Sequence, residues 1–219
     1  MYFNSRAEAG RKLAKELEGY SRQNAVVIAL SEGAVIVGAQ IAMHIHANLA
    51  LMLSENIYLP GEHDAIAALS STGSFAYNDM FSTGQIDELA AEFRSFIEQQ
   101  RMEKMHHLNI LMGKDGEIHK AYLRHHVVIL VADGLSSGFA LSVAADYLKT
   151  VAIKRLIVAT PLASVAAVDR MHLTADEIKC LSIVPNYMGT DHYYEDNTIP
   201  PAEDLLKVIK NISLHWHQG

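Results

Sequence analysis

Short unbroken apolar runs alternate along this chain with segments of helical periodicity, and that alternation constrains the fold more than any other feature. Ala25 to Leu30 and Val127 to Val131 are apolar throughout and of strand length, and Leu49 to Leu53, Leu156 to Ala159 and Ile178 to Val184 also read as strands. Runs of this kind suit strands covered on both faces. Between them, residues 5–19 set Ala9, Leu13, Ala14 and Leu17 at helical spacing, with Ser5 as N-cap and Gly19 as stop. Further helices are expected over Gly33 to His46, Ile86 to His107, Phe139 to Thr150, Ser164 to Met171 and Pro200 to Ile212. Strands alternating with helices imply right-handed βαβ units. The predicted fold class is α/β: a mainly parallel five-stranded sheet (25–30, 49–53, 127–131, 155–159, 178–183) flanked by helices, in one domain over 1–219. Residues 54–84, with Pro60, Gly61 and the Ser70 to Ser74 cluster, are expected to form an irregular flap or antiparallel hood over the carboxyl edge. Asp115-Gly116, between Ile110-Leu111-Met112 and Ile118, is a hairpin signal.

Composition narrows the function classes. Of the 219 residues 50% are hydrophobic, enough for one sizeable core, with roughly 70% of the extended surface buried. A net charge of −7 without a Lys/Arg cluster speaks against a nucleic-acid surface. No apolar run reaches the ~18 residues of a membrane span. The single Cys180 excludes a disulfide framework, and its place in a strand-like run makes it a core residue. A cytoplasmic protein is expected, with no membrane partner and a homo-oligomer, a dimer by default. The 12 histidines, among them His44, His46, His106, His107, His125, His126, His215 and His217, read as surface or helix-end groups, so no metal ligand is assigned.

In parallel sheets the chemistry gathers at the carboxyl ends of the strands. The most informative end is Val127 to Gly138, where a strand runs into Asp133-Gly134-Leu135-Ser136-Ser137-Gly138 and a helix begins. Glycines there let backbone N–H groups converge, and a helix N-terminus adds its positive dipole end. The loop is therefore a candidate anion cradle, with Ser136 and Ser137 as hydroxyl donors. Gly134, Ser136 and Gly138 also fit the Gly-x-Ser-x-Gly elbow of serine hydrolases, with Asp191 or Asp196 and His215 or His217 following in order. Asp133 beside the nucleophile and the absence of an upstream oxyanion segment weigh against that.

The stretch Val128 to Gly138 resembles the signature of type I phosphoribosyltransferases: a hydrophobic strand, two acidic residues and a loop ending in Thr-Gly. The rest of the chain resembles, in order, a group of bacterial phosphoribosyltransferases of unassigned substrate. The matching stretches are Phe3-x-x-Arg6-x-x-Ala9-Gly10-x-x-Leu13-Ala14, Val27 to Leu30 with Gly33, Leu59-Pro60-Gly61, Ala159 to Leu162, and Cys180-Leu181 with Pro185, Gly189 and Tyr194. The resemblance implies binding of phosphoribosyl pyrophosphate (PRPP) with Mg²⁺ and transfer of ribosyl 5-phosphate to a nitrogen base. It implies a 5′-phosphate cradle over Gly134 to Gly138, with Ser137 where the family has Thr. It places Asp133, as the catalytic and ribose-binding carboxylate, in an acidic pair reduced here to Ala132-Asp133. The pyrophosphate loop becomes Ser31-Glu32-Gly33-Ala34, where the family has Arg and two glycines, and Ser54-Glu55 stands where relatives carry Arg-Lys. A carboxylate ~4 Å from a phosphate oxygen costs about 4 kcal/mol at an effective dielectric of 20. Two readings follow: a phosphoribosyltransferase with weakened PRPP chemistry, or a non-catalytic relative that senses nucleotides or binds a partner.

Overall fold

The computed structural model describes residues 2–62, 64–78, 80–112, 118 and 120–216. In chain order the elements are β1 (Phe3–Ser5), α1 (Arg6–Lys15), β2 (Ala25–Ala29), α2 (Glu32–Ile45) and β3 (Asn48–Leu51). They continue with β4 (Ser54–Tyr58), β5 (Ala65–Ser70), β6 (Phe75–Tyr77), α3 (Thr83–Glu92), α4 (Arg94–Met112) and α5 (Lys120–Leu123). The remainder is β7 (Val127–Val131), α6 (Phe139–Lys149), β8 (Arg155–Ser164), α7 (Val165–Thr174), β9 (Glu177–Val184), β10 (Tyr194–Asp196) and α8 (Ala202–Trp216).

The five apolar runs form one parallel sheet in the order β3-β2-β7-β8-β9, as the α/β reading expects. Successive residues of each strand point to opposite faces. Val27, Ala29, Ile129, Val131 and Ile157 face a core shared with α1, α2 and α8. Val26, Ile28, Val128, Leu130 and Val158 face the core under α6 and α7. Burial on both sides is why the runs of β2, β7 and β8 carry no polar alternation, whereas the edge strand β9, expected to be buried, is only partly covered. The chain leaves β2 toward β3 on one side and returns to β7 on the other. The loops after β2 and β7 therefore splay apart at a topological switch point, where open α/β sheets make their binding crevice.

Several expectations are corrected. Of the two alternatives for residues 54–84, the antiparallel one holds and the irregular flap does not. β4, β5 and β6 form an antiparallel sheet whose central strand is buried at all six positions. Ala65 and Ala68 pack against Phe139 and Val143 of α6, and Ile57 and Ile66 against Phe93, Phe96 and Ile97. Such burial ties the hood to α6 and α4. The single helix expected over Ile86 to His107 is two, starting at a Ser82–Gln85 capping box and broken at Phe93, where no Gly or Pro marks the break. Ile110 to Met112 close α4 rather than opening a hairpin, and Asp115-Gly116 lies outside the described residues. A two-stranded parallel ribbon, β1 with β10, was not foreseen: three residues a strand leave too short a pattern to read. Among the described residues, no helix is long and apolar enough to cross a membrane.

Candidate functional site

The switch point brings the two loops singled out in the sequence into contact. Ser31 caps α2, its Oγ accepting from the Ala34 N–H at 3.0 Å. The same hydroxyl donates to Asp133 Oδ1 at 2.8 Å, joining the end of β2 to the end of β7. Asp133 is buried, and its Oδ2 accepts from Arg6 Nε at 2.7 Å. Each carboxylate oxygen has two lone pairs, so both keep an acceptor site for a ligand hydroxyl.

Arg6 reaches this point because of the β1–β10 ribbon. Phe3 stacks on Tyr194 with ring centroids 5.8 Å apart, and Ser5 caps α1 by accepting from the Glu8 N–H. Arg6 follows at once, only 3% exposed, its guanidinium 4.7 Å from the Tyr194 ring centre. Nη2 donates to Asp191 at 2.5 Å and Nη1 to Asn197 Oδ1 at 3.4 Å. Burial alone would push the Arg6 pKa down, but the hydrogen bonds to Asp133 and Asp191 outweigh it and raise it. Burial, with the Asp133 charge beside it, pushes the Tyr194 hydroxyl far above its ordinary range. That hydroxyl therefore stays a donor, to the Asp133 carbonyl at 2.6 Å. Gly33 is glycine for a steric reason: a Cβ there would lie 2.2 Å from Asp133 Oδ2 and 2.6 Å from Arg6 Nε.

Arg6 thus places beside Ser31 to Ala34 a cation that the loop's own sequence lacks. Arg6, Ser31, Glu32, Gly33, Asp133 and Asp191 share one cavity of about 500 Å³, which Gly189 and His192 also line. A buried arginine from the far end of the sequence was missed because its reach depends on the unforeseen ribbon; the stretch that carries it, Phe3 to Ala14, was the available signal. Glu32 does sit at this cavity. Glu55 does not act there: it turns to α4, accepting from Lys104 Nζ at 3.1 Å and from His107. Burial raises the Glu55 pKa, while the His107 and Lys104 hydrogen bonds lower it further, so it is held below the usual carboxylate range. Glu62 and Asp64, also in the hood segment, are exposed.

The loop after β7 is pinned by the neighbouring strand β8. Leu135 donates its N–H to Leu162 O at 3.0 Å and accepts from the Ser164 N–H at 2.9 Å, while Ser164 Oγ donates to the Ser136 carbonyl. The Leu135 amide is therefore not a cradle donor, which corrects the sequence reading. Among the described residues, the N–H groups of Ser136, Ser137 and Gly138 have no partner. Ser136 and Ser137 are exposed, and Gly138 caps α6 at φ 71°. Ser137 Oγ accepts from the Phe139 N–H at 3.4 Å, leaving its O–H free to donate. The stem of Arg170 runs over Gly138, and its guanidinium donates to Ser142 Oγ at 2.9 Å, which sets positive charge beside the first turn of α6. Gly134 faces the other way, closed off by the Tyr187 hydroxyl.

Both acidic hydrolase candidates are engaged elsewhere. Asp191 binds Arg6, and Asp196 binds the Thr198 N–H at 2.9 Å. The His215 and His217 side chains lie outside the described residues. His46 is a left-handed helix cap, as expected of the histidines. Cys180 is half-buried in β9, its thiol pKa raised by burial. Among the described residues, no three His, Cys, Asp or Glu converge as a metal site. The carboxylate that would stand beside Mg²⁺ is instead held by Arg6 and Ser31, so the residues do not fit a protein-held ion.

No protein-family model matches the chain. Two strains of Mycobacterium tuberculosis carry a protein named "Putative phosphoribosyl transferase" that is 26% identical over 212 residues, covering 94% of this chain. The chain spans 46% of those relatives' length. The crystal structure of TT1426 from Thermus thermophilus is 25% identical, covers 99% of each chain and superposes with a TM-score of 0.71. The chain is thus related, over nearly its whole length, to proteins named as phosphoribosyl transferases, with their substrate unassigned, and it shares the fold of TT1426.

Proposed function

We propose that the switch-point crevice binds the ribosyl 5-phosphate part of PRPP or of a nucleotide and supports its transfer to a nitrogen base. One observation carries this reading: three N–H groups at the start of α6, without a partner among the described residues, follow directly on a buried carboxylate with acceptor sites to spare. A phosphate oxyanion on Ser136, Ser137 and Gly138 would gain charge-assisted hydrogen bonds and the helix dipole. A ribose held by its phosphate would turn its ring hydroxyls toward Asp133. The relatives' name supports the reaction class.

Ala132 favours a second reading, in which the site senses a nucleotide without transferring its ribose. The carboxylate missing there would have helped to hold ribose hydroxyls. Mg²⁺, where needed, would come with the ligand's phosphates, and no step here depends on it. Calorimetric titrations with ribose, ribose 5-phosphate, nucleoside monophosphates and PRPP, each with and without Mg²⁺, test both. Binding that requires the 5-phosphate supports the cradle, and equal binding of ribose would overturn it. Release of pyrophosphate from PRPP with any of a panel of nitrogen bases separates transfer from sensing.

A further inference from the structure

We propose that Asp191 is an internal occupant of an anion site on Arg6, and that a phosphate-class group, such as the pyrophosphate end of PRPP, binds by displacing its carboxylate. The inference rests on the crevice being the phosphoribosyl site, and it supplies the pyrophosphate-side cation that the loop sequence lacks.

The two carboxylates on Arg6 differ in kind. Asp133 is 11% exposed, takes Nε and is also held by Ser31, so it belongs to the frame of the sheet. Asp191 is 71% exposed and takes Nη2 from the outer side of the cavity. An exposed side chain regains water when it swings away, so breaking this contact costs far less than breaking the inner one. Rotation about its own bonds suffices, because the Asp191 carbonyl stays fixed by Asn197 Nδ2 at 3.0 Å and the preceding turn by the Tyr187–Thr190 hydrogen bond at 2.8 Å. Displacement would leave a guanidinium edge facing a cavity of about 500 Å³. The backbone N–H groups of Glu32 and Gly33, at the start of α2, have no partner among the described residues and line the same cavity. They would share the anion.

Charge explains why the site is closed in the free protein. Arg6 already answers Asp133, so Asp191 makes the cluster net negative, and Glu32 adds to that. An anion enters this site by exchange with Asp191 rather than by addition to it.

The test is calorimetric titration of the unmodified protein and of Asp191→Asn with two probes, inorganic pyrophosphate and ribose 5-phosphate. Neutralising Asp191 keeps its shape and removes the competing charge, so pyrophosphate should bind at least about tenfold more tightly to Asp191→Asn. Ribose 5-phosphate, seated on the other loop, should change by less than about twofold. Pyrophosphate binding equal to or weaker than that of the unmodified protein overturns the proposal while leaving the ribose 5-phosphate site standing. Loss of affinity for both probes makes Asp191 a merely structural residue and also overturns it. If neither protein binds ribose 5-phosphate, the underlying reading of the crevice falls, whatever pyrophosphate does.

Discussion

Arg6 Nε lies 2.7 Å from Asp133 Oδ2 across 127 positions of sequence, and this ion pair fastens the N-terminal ribbon to the switch point of the sheet. A buried pair adds little net stability against a hydrophobic replacement, but losing one partner strands the other's charge. Arg6→Met should therefore cost about 3–5 kcal/mol in urea unfolding. The double variant Arg6→Met, Asp133→Leu should lose less than the single one. Equal losses would mean that the pair does not bear on the fold.

Gly134 meets the Tyr187 hydroxyl so closely that a Cβ would stand 2.2 Å from its oxygen. Gly134→Ala should destabilise the protein, and Tyr187→Phe should relieve part of the loss by removing the obstructing oxygen. A double-mutant cycle should return a favourable coupling of about 0.5–3 kcal/mol. Additive losses would place Tyr187 away from the loop.

Glu55 supplies the pH dependence. Its hydrogen bonds to His107 and Lys104 hold its pKa below the usual value in the folded protein. Its contribution is therefore present above the unfolded value and fades as pH falls through the folded one. Glu55→Gln should cost about 1 kcal/mol in chemical unfolding at pH 7, and the difference should vanish well below pH ~4. A loss that persists in acid would point to packing instead.

Ser136 is exposed and, among the described residues, has no histidine hydrogen-bonded to it. A fluorophosphonate probe should leave it unlabelled. Stoichiometric labelling at Ser136 would restore the hydrolase reading.

The sheet was legible in the sequence because strands buried on both faces write their burial as unbroken apolar runs, and Ala25 to Leu30 or Val127 to Val131 have no other easy reading. The meeting of the Ser31 and Asp133 loops was implied by that topology. Arg6 was not placed, since its position depends on β1 pairing with Tyr194–Asp196, a three-residue contact set by tertiary packing rather than by pattern. The direction of Glu55 was misjudged for a related reason. Its strand belongs to the hood sheet, whose register turns it toward α4. The Leu135 amide was lost to the cradle through its bridge to β8, a long-range pairing that the loop's own residues do not announce.

The most direct test is a backbone amide NMR titration with ribose 5-phosphate. The N–H signals of Ser136, Ser137, Gly138 and Phe139 should move most, that of Leu135 should remain hydrogen-bonded to Leu162, and Ser137→Ala should weaken binding by about tenfold or more. Saturable shifts centred elsewhere, or no shifts at millimolar ligand, would contradict the assignment of this loop as a phosphate cradle.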